Sequence, residues 1–406
     1  MVIGKFLLPF FHINPESQQH IVVVFFLAGL IFFVNSINTI FYAIPSALQR
    51  VDLTIKINTI QYVLLNLAIV FMVYHGFALK AIFGLTLVFN IITTFVFRHY
   101  SKKMLPFVRF RFGWTKDEIK KSLGFGFFVA LNNLASNALI QLDRLLVPLY
   151  LNPVQLTFYS VPGNVAQKTL GVTGSLVGIV FPLTSALHGV GDTEKIKQIY
   201  KKFVRNLIML SAAITVAMAA FGYQILFFWL GKEVADKGYV ILIILAFTYF
   251  ISAIYSPLTS FFMGMGKVKF LLSVSSGTAI LNLILLLVLL PRYGIVGAAW
   301  AYFFAVIPAI GVVYYFEKKY LHLTGRPLYY LGLLLQNALV GGIVFFTIKL
   351  WLIHLVNNVF MLLLIGPSSV LLYLALYKLF GFYDDEDWQL VKNYLIKVFS
   401  KKTVEL

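Results

Sequence analysis

Apolar residues run in long blocks along this chain, separated by short breaks rich in Lys, Arg, Gly, Pro and Asn. A bilayer core of about 30 Å takes roughly 20 helical residues. Blocks of that order lie near residues 21–47, 56–75, 79–97, 122–149, 155–187, 203–230, 238–263, 268–290, 294–316, 329–354 and 357–380. The pattern predicts an all-α, polytopic membrane protein with eleven transmembrane helices. Several blocks exceed the minimum, which predicts tilt or kinks, with Pro45, Pro162, Pro182 and Pro257 as the kink sites. The apolar stub at residues 1–11 would reach only about 16 Å as a helix, too short to cross.

Composition agrees with this reading. Of 406 residues, 60% are hydrophobic and 12% charged, and the mean hydropathy is +0.88, beyond what a water-soluble core accounts for. The net charge of +18 would suggest nucleic acid in a soluble protein. Here the basic residues sit in breaks between apolar blocks, so they report topology and no nucleic-acid partner is expected. Alternate connections, around Arg50, Lys102 to Lys121, Lys195 to Arg205, Lys267 to Lys269, Lys318 to Arg326 and the tail from Lys378, hold about 25 of the 33 Lys and Arg residues; the intervening turns hold Lys80, Lys232, Lys237 and Arg292. The first set is read as cytoplasmic, and the C-terminus with it. Lys349 sits near an outer helix end, from which it can snorkel. With no cysteine, disulfides and thiolate metal sites are excluded.

The polar residues of two blocks carry the candidate chemistry. On a helix turning 100° per residue, Asn132, Ser136 and Asp143 fall on one narrow arc, which Asn133, Asn137, Gln141 and Arg144 widen to half the circumference. The next block places Ser160, Asn164, Gln167, Lys168, Gly171 and Ser175 on one face. The short turn Asn152-Pro153 makes the two helices antiparallel, and both faces are expected to line one cavity. Equal counting from the turn puts Asn164 level with Gln141 and Lys168 level with Asn137. Asp143 and Arg144 point about 100° apart and cannot satisfy each other. At roughly 3 kcal/mol per charge near mid-membrane, they and Lys168 need an aqueous cavity or partners. Two readings follow: a structural ion pair that fixes helix packing, or a functional interior. Asp143 alone among the 15 acids falls inside a predicted span, which makes it the candidate if an ion gradient couples through a carboxylate.

No P-loop, nucleophile elbow, HExxH or dinucleotide-binding glycine pattern occurs, and the outer loops are short, so no enzymatic activity is expected. The acidic run Asp384 to Asp387 reads as the cap of an amphipathic surface helix carrying Trp388, Val391, Leu395 and Val398, ahead of a metal site. No metal is expected. Gly171, Gly174 and Gly178 fit close helix packing or, alternatively, a hinge.

The strings Ala47-Leu-Gln-Arg-Val-Asp52, Gln141-Leu-Asp-Arg-Leu-Leu146, Phe158-Tyr-Ser-Val-Pro162, Phe181-Pro-Leu-Thr-Ser185 and Pro291-Arg-Tyr-Gly-Ile-Val-Gly-Ala-Ala299 resemble polysaccharide-type flippases of the multidrug, oligosaccharidyl-lipid and polysaccharide exporter superfamily. The resemblance covers essentially the whole chain. It implies two six-helix lobes around a central cavity, followed by two extra helices, in a bacterial cytoplasmic membrane. It also implies transport of a polyprenyl-pyrophosphate-linked oligosaccharide for cell-surface polysaccharide synthesis by alternating access. Partners would be membrane lipid, the lipid-linked glycan and other polysaccharide assembly proteins; the only cofactor expected is a coupling ion, Na⁺ or H⁺. The alternative within the superfamily is a cation-coupled multidrug exporter.

On that plan residues 1–100 form an incomplete N-terminal lobe (stub plus three helices) and 101–121 a basic inter-lobe loop. Residues 122–316 form the six-helix C-terminal lobe, 317–328 a cytoplasmic connection, 329–380 two additional helices and 381–406 the amphipathic tail. Two helices and most of a third would precede Met1, in an expected upstream segment of roughly 70 to 90 residues. The expected substrate contacts are Arg144 and Lys168 for the pyrophosphate, with Asn133, Asn137, Gln141, Asn164 and Gln167 for the sugar; Asp143 is the ion-coupling candidate.

Overall fold

The computed structural model describes residues 15–48, 50–107, 115–177, 180–323 and 326–383. The stub at 1–11, most of the tail from 384 and residues 108–114 of the basic loop lie outside them. Among the described residues the regular structure is helical throughout, with no strand. The chain divides into two compact units, Met1–Trp114 and Thr115–Leu406.

The first unit holds α1 (Pro15–Ala47), α2 (Val51–Tyr74) and α3 (Leu79–Met104). The Ser101 hydroxyl of α3 donates to the Phe41 carbonyl of α1 at 2.9 Å, and Tyr42 meets Phe97 edge-on at 5.6 Å. Gln61 of α2 donates to Asn90 of α3 at 3.3 Å. A shallow depression on α2 is lined by Asn58, Thr59, Gln61, Tyr62 and Leu65.

The second unit holds α4 (Lys116–Tyr150), α5 (Pro153–Val177), α6 (Val180–Gly189), α7 (Thr193–Leu230), α8 (Lys232–Gly264), α9 (Val268–Val306), α10 (Pro308–Lys319), α11 (Arg326–Leu350), a 3₁₀ turn at Leu352–Leu355 and α12 (Val359–Leu379). Polar residues set several boundaries. Asn152 accepts from the Gln155 amide at 2.9 Å, with Pro153 opening α5. Asp192 caps α7 through the Lys195 amide at 3.0 Å, and Asn358 caps α12 through the Met361 amide at 2.8 Å.

Eight helical stretches among the described residues are long and apolar enough to cross a membrane. One, Val268–Lys319, has 52 residues, about twice what a crossing needs, and it reverses at Gly294. That residue sits at φ 59° and ψ −146°, a region open essentially to glycine alone. The reversal shows in the packing: a Cβ on Gly297 would fall 2.2 Å from the Leu289 carbonyl oxygen, whereas a continuous helix separates the two by about 12 Å. With Val268–Lys319 crossing twice, the eight stretches make nine crossings, and the blocks expected at 122–149 and 155–187 fall on α4 and on the α5–α6 pair.

The block at 155–187 is described as α5, to Val177, and α6, from Val180, with residues 178 and 179 outside the described set. A Cβ at Gly171 or Gly174 would meet nothing within 4 Å, so among the described residues no neighbour packs closely on these two glycines.

Helix α8 is central to the unit, packing against α5, α6, α7, α9 and α10. One apolar cluster joins it to α4, α5 and α9 through Val147, Ala166, Leu245, Leu286 and Ala301. A second, around Tyr200, Leu258, Phe261, Phe262 and Phe316, joins it to α6, α7, α9, α10 and α11. Gly238 makes the α5–α8 contact close: a Cβ there would stand 2.7 Å from Cγ of Pro162. Helices α11 and α12 dock on α7, and buried Tyr373 donates to Oδ1 of Asn337 at 2.7 Å between them.

Candidate functional site

Helices α4 and α5 form an antiparallel hairpin closed by the Asn152-Pro153 turn, and they bring the predicted polar residues together on two sides. The expected single polar arc on α4 is split. Asn133, Asn137 and Gln141 are exposed and Arg144 is half-buried, whereas Asn132 and Asp143 turn into the packing of the unit. On α5, Asn164 and Lys168 are exposed, Gln167 is half-buried, and Gly171 continues the open face. Ser175 has a side chain outside the described set.

Two hydrogen bonds cross the hairpin. On the open side, Nη2 of Arg144 donates to Oδ1 of Asn164 at 2.7 Å. On the buried side, the Tyr159 hydroxyl of α5 donates to Oδ2 of Asp143. Both follow one register. Equal counting puts Asn164 opposite Gln141 and Tyr159 opposite Leu146, and each bond reaches a residue one turn from that level. Asn137 back-bonds to the Asn133 carbonyl at 2.8 Å. Lys168, four residues beyond Asn164 and so about 6 Å along the same face, forms no ion pair among the described residues.

The charges are therefore sorted by environment. The carboxylate, 3% exposed, sits with Tyr159, Tyr249 and Tyr302; the last two are buried, with rings meeting edge-on at 5.7 Å. Its Oδ1 has no hydrogen-bond partner. The two cations stay on the amide-lined face. No acid neutralises them from these helices, because α5 contains no Asp or Glu and the other acids of α4, Asp117 and Glu118, lie in its first turn. Asp143 meets its need for a partner through a neutral hydroxyl instead of Arg144 or Lys168. Tyr159 was not singled out in the sequence; counting across the turn, which brings it within one turn of Asp143, was the signal available. Such a face suits an anionic, hydroxyl-rich ligand: a planar guanidinium and an ammonium for phosphate oxygens, and carboxamides that both donate and accept for sugar hydroxyls.

Among the described residues no group of three or more His, Cys, Asp or Glu is arranged to hold a metal ion. Lys349, placed near an outer helix end by sequence, lies over the Tyr239 ring at 5.7 Å and the Phe345 ring at 5.8 Å.

Comparison with known proteins gives concordant results. Residues 16–237 match the profile of a family described as polysaccharide biosynthesis protein. A putative O-antigen transporter of Shigella flexneri is 23% identical over 239 residues, 59% of this chain and 56% of the relative, so the match spans little more than half of that relative's length. Among solved structures, a MATE in complex with MaL6 superposes with a TM-score of 0.67 at 14% identity, over 79% of this chain and 76% of that one. The lipid II flippase MurJ in an inward closed conformation superposes with a TM-score of 0.58 at 14% identity, over 93% and 88%. At this identity the two structures share the fold.

Proposed function

Because the chain belongs to the polysaccharide biosynthesis protein family, whose profile matches more than half of it, we propose that this multi-pass membrane protein flips a lipid-linked oligosaccharide across the bilayer. The observation that carries the reading is the face on α4 and α5. Arg144 and Lys168 stand about two helical turns apart in depth, roughly 10 Å, among exposed carboxamides, with the nearby carboxylate of Asp143 turned inward. A polyprenyl-pyrophosphate headgroup fits that charge pattern. In this reading Arg144 leaves Asn164 to grip one phosphate through its paired donors, Lys168 takes the other, and Asn133, Asn137, Gln141, Asn164 and Gln167 replace water around the sugar. The reading places the basic loops and the C-terminus on the cytoplasmic side by their charge. Alternating access would carry the loaded face from inner to outer leaflet, and Asp143, buried behind it, is the carboxylate through which Na⁺ or H⁺ would couple.

The face disfavours the multidrug-exporter alternative, since on it a cationic drug would meet two positive charges and, among the described residues of α4 and α5, no exposed carboxylate near them. The test is Arg144→Ala with Lys168→Ala in the functional gene. Surface glycan should fall and its lipid-linked precursor accumulate, while each protein reaches the membrane in normal amount. Unchanged glycan in the double variant removes both residues from the mechanism. Broad drug sensitisation of a deletion strain with intact glycan replaces the function.

A further inference from the structure

The second unit hides a line of polar groups that the substrate face does not use. Helix α4 and the first half of α9 both leave basic loops, α9 following Lys267, so they run parallel. The Asn282 amide donates to the Leu139 carbonyl at 3.4 Å, which fixes their register. Equal rise from that contact sets Asn132 beside Ser275 and brings Asp143 one turn past Asn282. All four are more than nine-tenths buried: Asn132 and Asp143 3% exposed, Ser275 8% and Asn282 0%. Oδ1 of Asn132, Oδ1 of Asn282 and Oδ1 of Asp143 have no hydrogen-bond partner, and the Tyr255 hydroxyl lies against Ser275, the one hydroxyl within its reach.

In a bilayer no solvent offsets such an orphan, and scattered misfits would not align. These fall along one seam about 16 Å long, at 1.5 Å per residue from Asn132 to Asp143. A buried water needs two to four polar partners. Asn132, Ser275 and Tyr255 supply three at one level, and Asn282 with Asp143 supply the next. One turn in from its Asn132 end the seam passes half-buried Ser136, which adjoins exposed Asn133 and Asn137.

We propose that the α4–α9 seam is a hydrated polar file, entered near Ser136, through which water and the protons it relays reach Asp143. The groups facing Asp143 are Tyr159 from α5, Tyr249 from α8 and Tyr302 from the returning half of α9; the one cation whose charge acts on it is the adjacent Arg144, whose hydrogen bond goes to Asn164. The file makes the proton the coupling ion. That part rests on Asp143 being the coupling carboxylate of the flippase reading, whereas hydration of the seam does not.

The full chain has no cysteine, so single thiols can be placed without background. Ser275→Cys and Asn282→Cys are compared in membrane vesicles with Ala213→Cys and Ala220→Cys, which are buried in the apolar contact of α7 with α11 and α12. A water-soluble methanethiosulfonate reacts with the thiolate, which forms only where water solvates it, so the file positions should be modified about tenfold faster or more than the two controls. Equal rates overturn the file. Ser275→Cys changes one atom, so the test survives if Asn282→Cys folds poorly. For the proton, an infrared difference spectrum after a pH step follows the carboxylic-acid C=O band that Asp143→Asn removes. The band should track bulk pH in the natural chain and lag about tenfold when Ser275→Ala and Asn282→Leu are combined, if relay needs a continuous hydrogen-bonded line. A silent band, or an unchanged rate in the combined variant, overturns proton delivery. Neither measurement involves a glycan, so their failure leaves the export assay to judge the flippase reading separately.

Discussion

Tyr159→Phe removes a single oxygen and keeps a ring of the same shape in the α5–α8 packing. What it takes away is the donor to Oδ2 of Asp143, whose Oδ1 already lacks a partner. A hydrogen bond to a charged group contributes about 1.5–3 kcal/mol net, and at 3% exposure bulk water does not substitute. Asp143→Leu alone leaves the buried hydroxyl orphaned, at about 1–3 kcal/mol. Combining both changes removes both polar groups and should be close to neutral, as apolar replacement of a buried polar pair often is. The double-mutant cycle should therefore give a coupling of about 2 kcal/mol, roughly thirtyfold in an equilibrium constant. Steric trapping, with tags near the start of α4 and the end of α5, reads opening of this hairpin alone and avoids assuming that two units unfold together. If the single losses simply add, with a coupling below about 0.5 kcal/mol, the hydroxyl and the carboxylate do not hold the hairpin, and the assignment of Asp143 to a structural partner is wrong.

Gly238→Ala should lower the melting temperature in detergent, because the new methyl meets Cγ of Pro162 at 2.7 Å; overpacking of this kind costs about 1–3 kcal/mol. Gly174→Ala, with nothing within 4 Å, should leave it unchanged or raise it by the equivalent of about 0.5–1 kcal/mol from better helix propensity. Gly294→Ala should cost about 1–3 kcal/mol by forcing a side chain into the φ 59° turn, seen as a lower melting temperature with surface glycan retained at permissive growth temperature. Arg144→Lys keeps the charge and loses the planar fork, so its surface glycan should fall between the natural protein and Arg144→Ala.

The crossings were legible because apolar blocks of bilayer length have few alternatives, and Pro291 to Gly294 marked a reversal inside a long apolar run. The division of the α4 arc was not. A helical wheel assigns Asn132, Ser136 and Asp143 neighbouring angles, but which neighbour covers that arc depends on α9, more than a hundred residues away. Tyr159 escaped notice for a related reason: beside Phe158 it reads as apolar filling until the hairpin register sets its hydroxyl against a carboxylate. Gly171 and Gly174 fit a packing spacing, yet such spacing does not say whether a neighbour is there.

The two cross-hairpin bonds have a mechanical consequence. Asp143 and Arg144 are adjacent, pointing about 100° apart, and each is tied to α5, one on its inner flank and the other on its outer flank. They act as opposed pawls on a ratchet wheel: rotating α4 either way about its own axis must break one of them. While both hold, turning of α4 against α5 is opposed in either sense, so a rearrangement that separates the two begins with a pawl lifting. Arg144 is the pawl on the exposed side, and an arriving phosphate is the kind of group that would lift it.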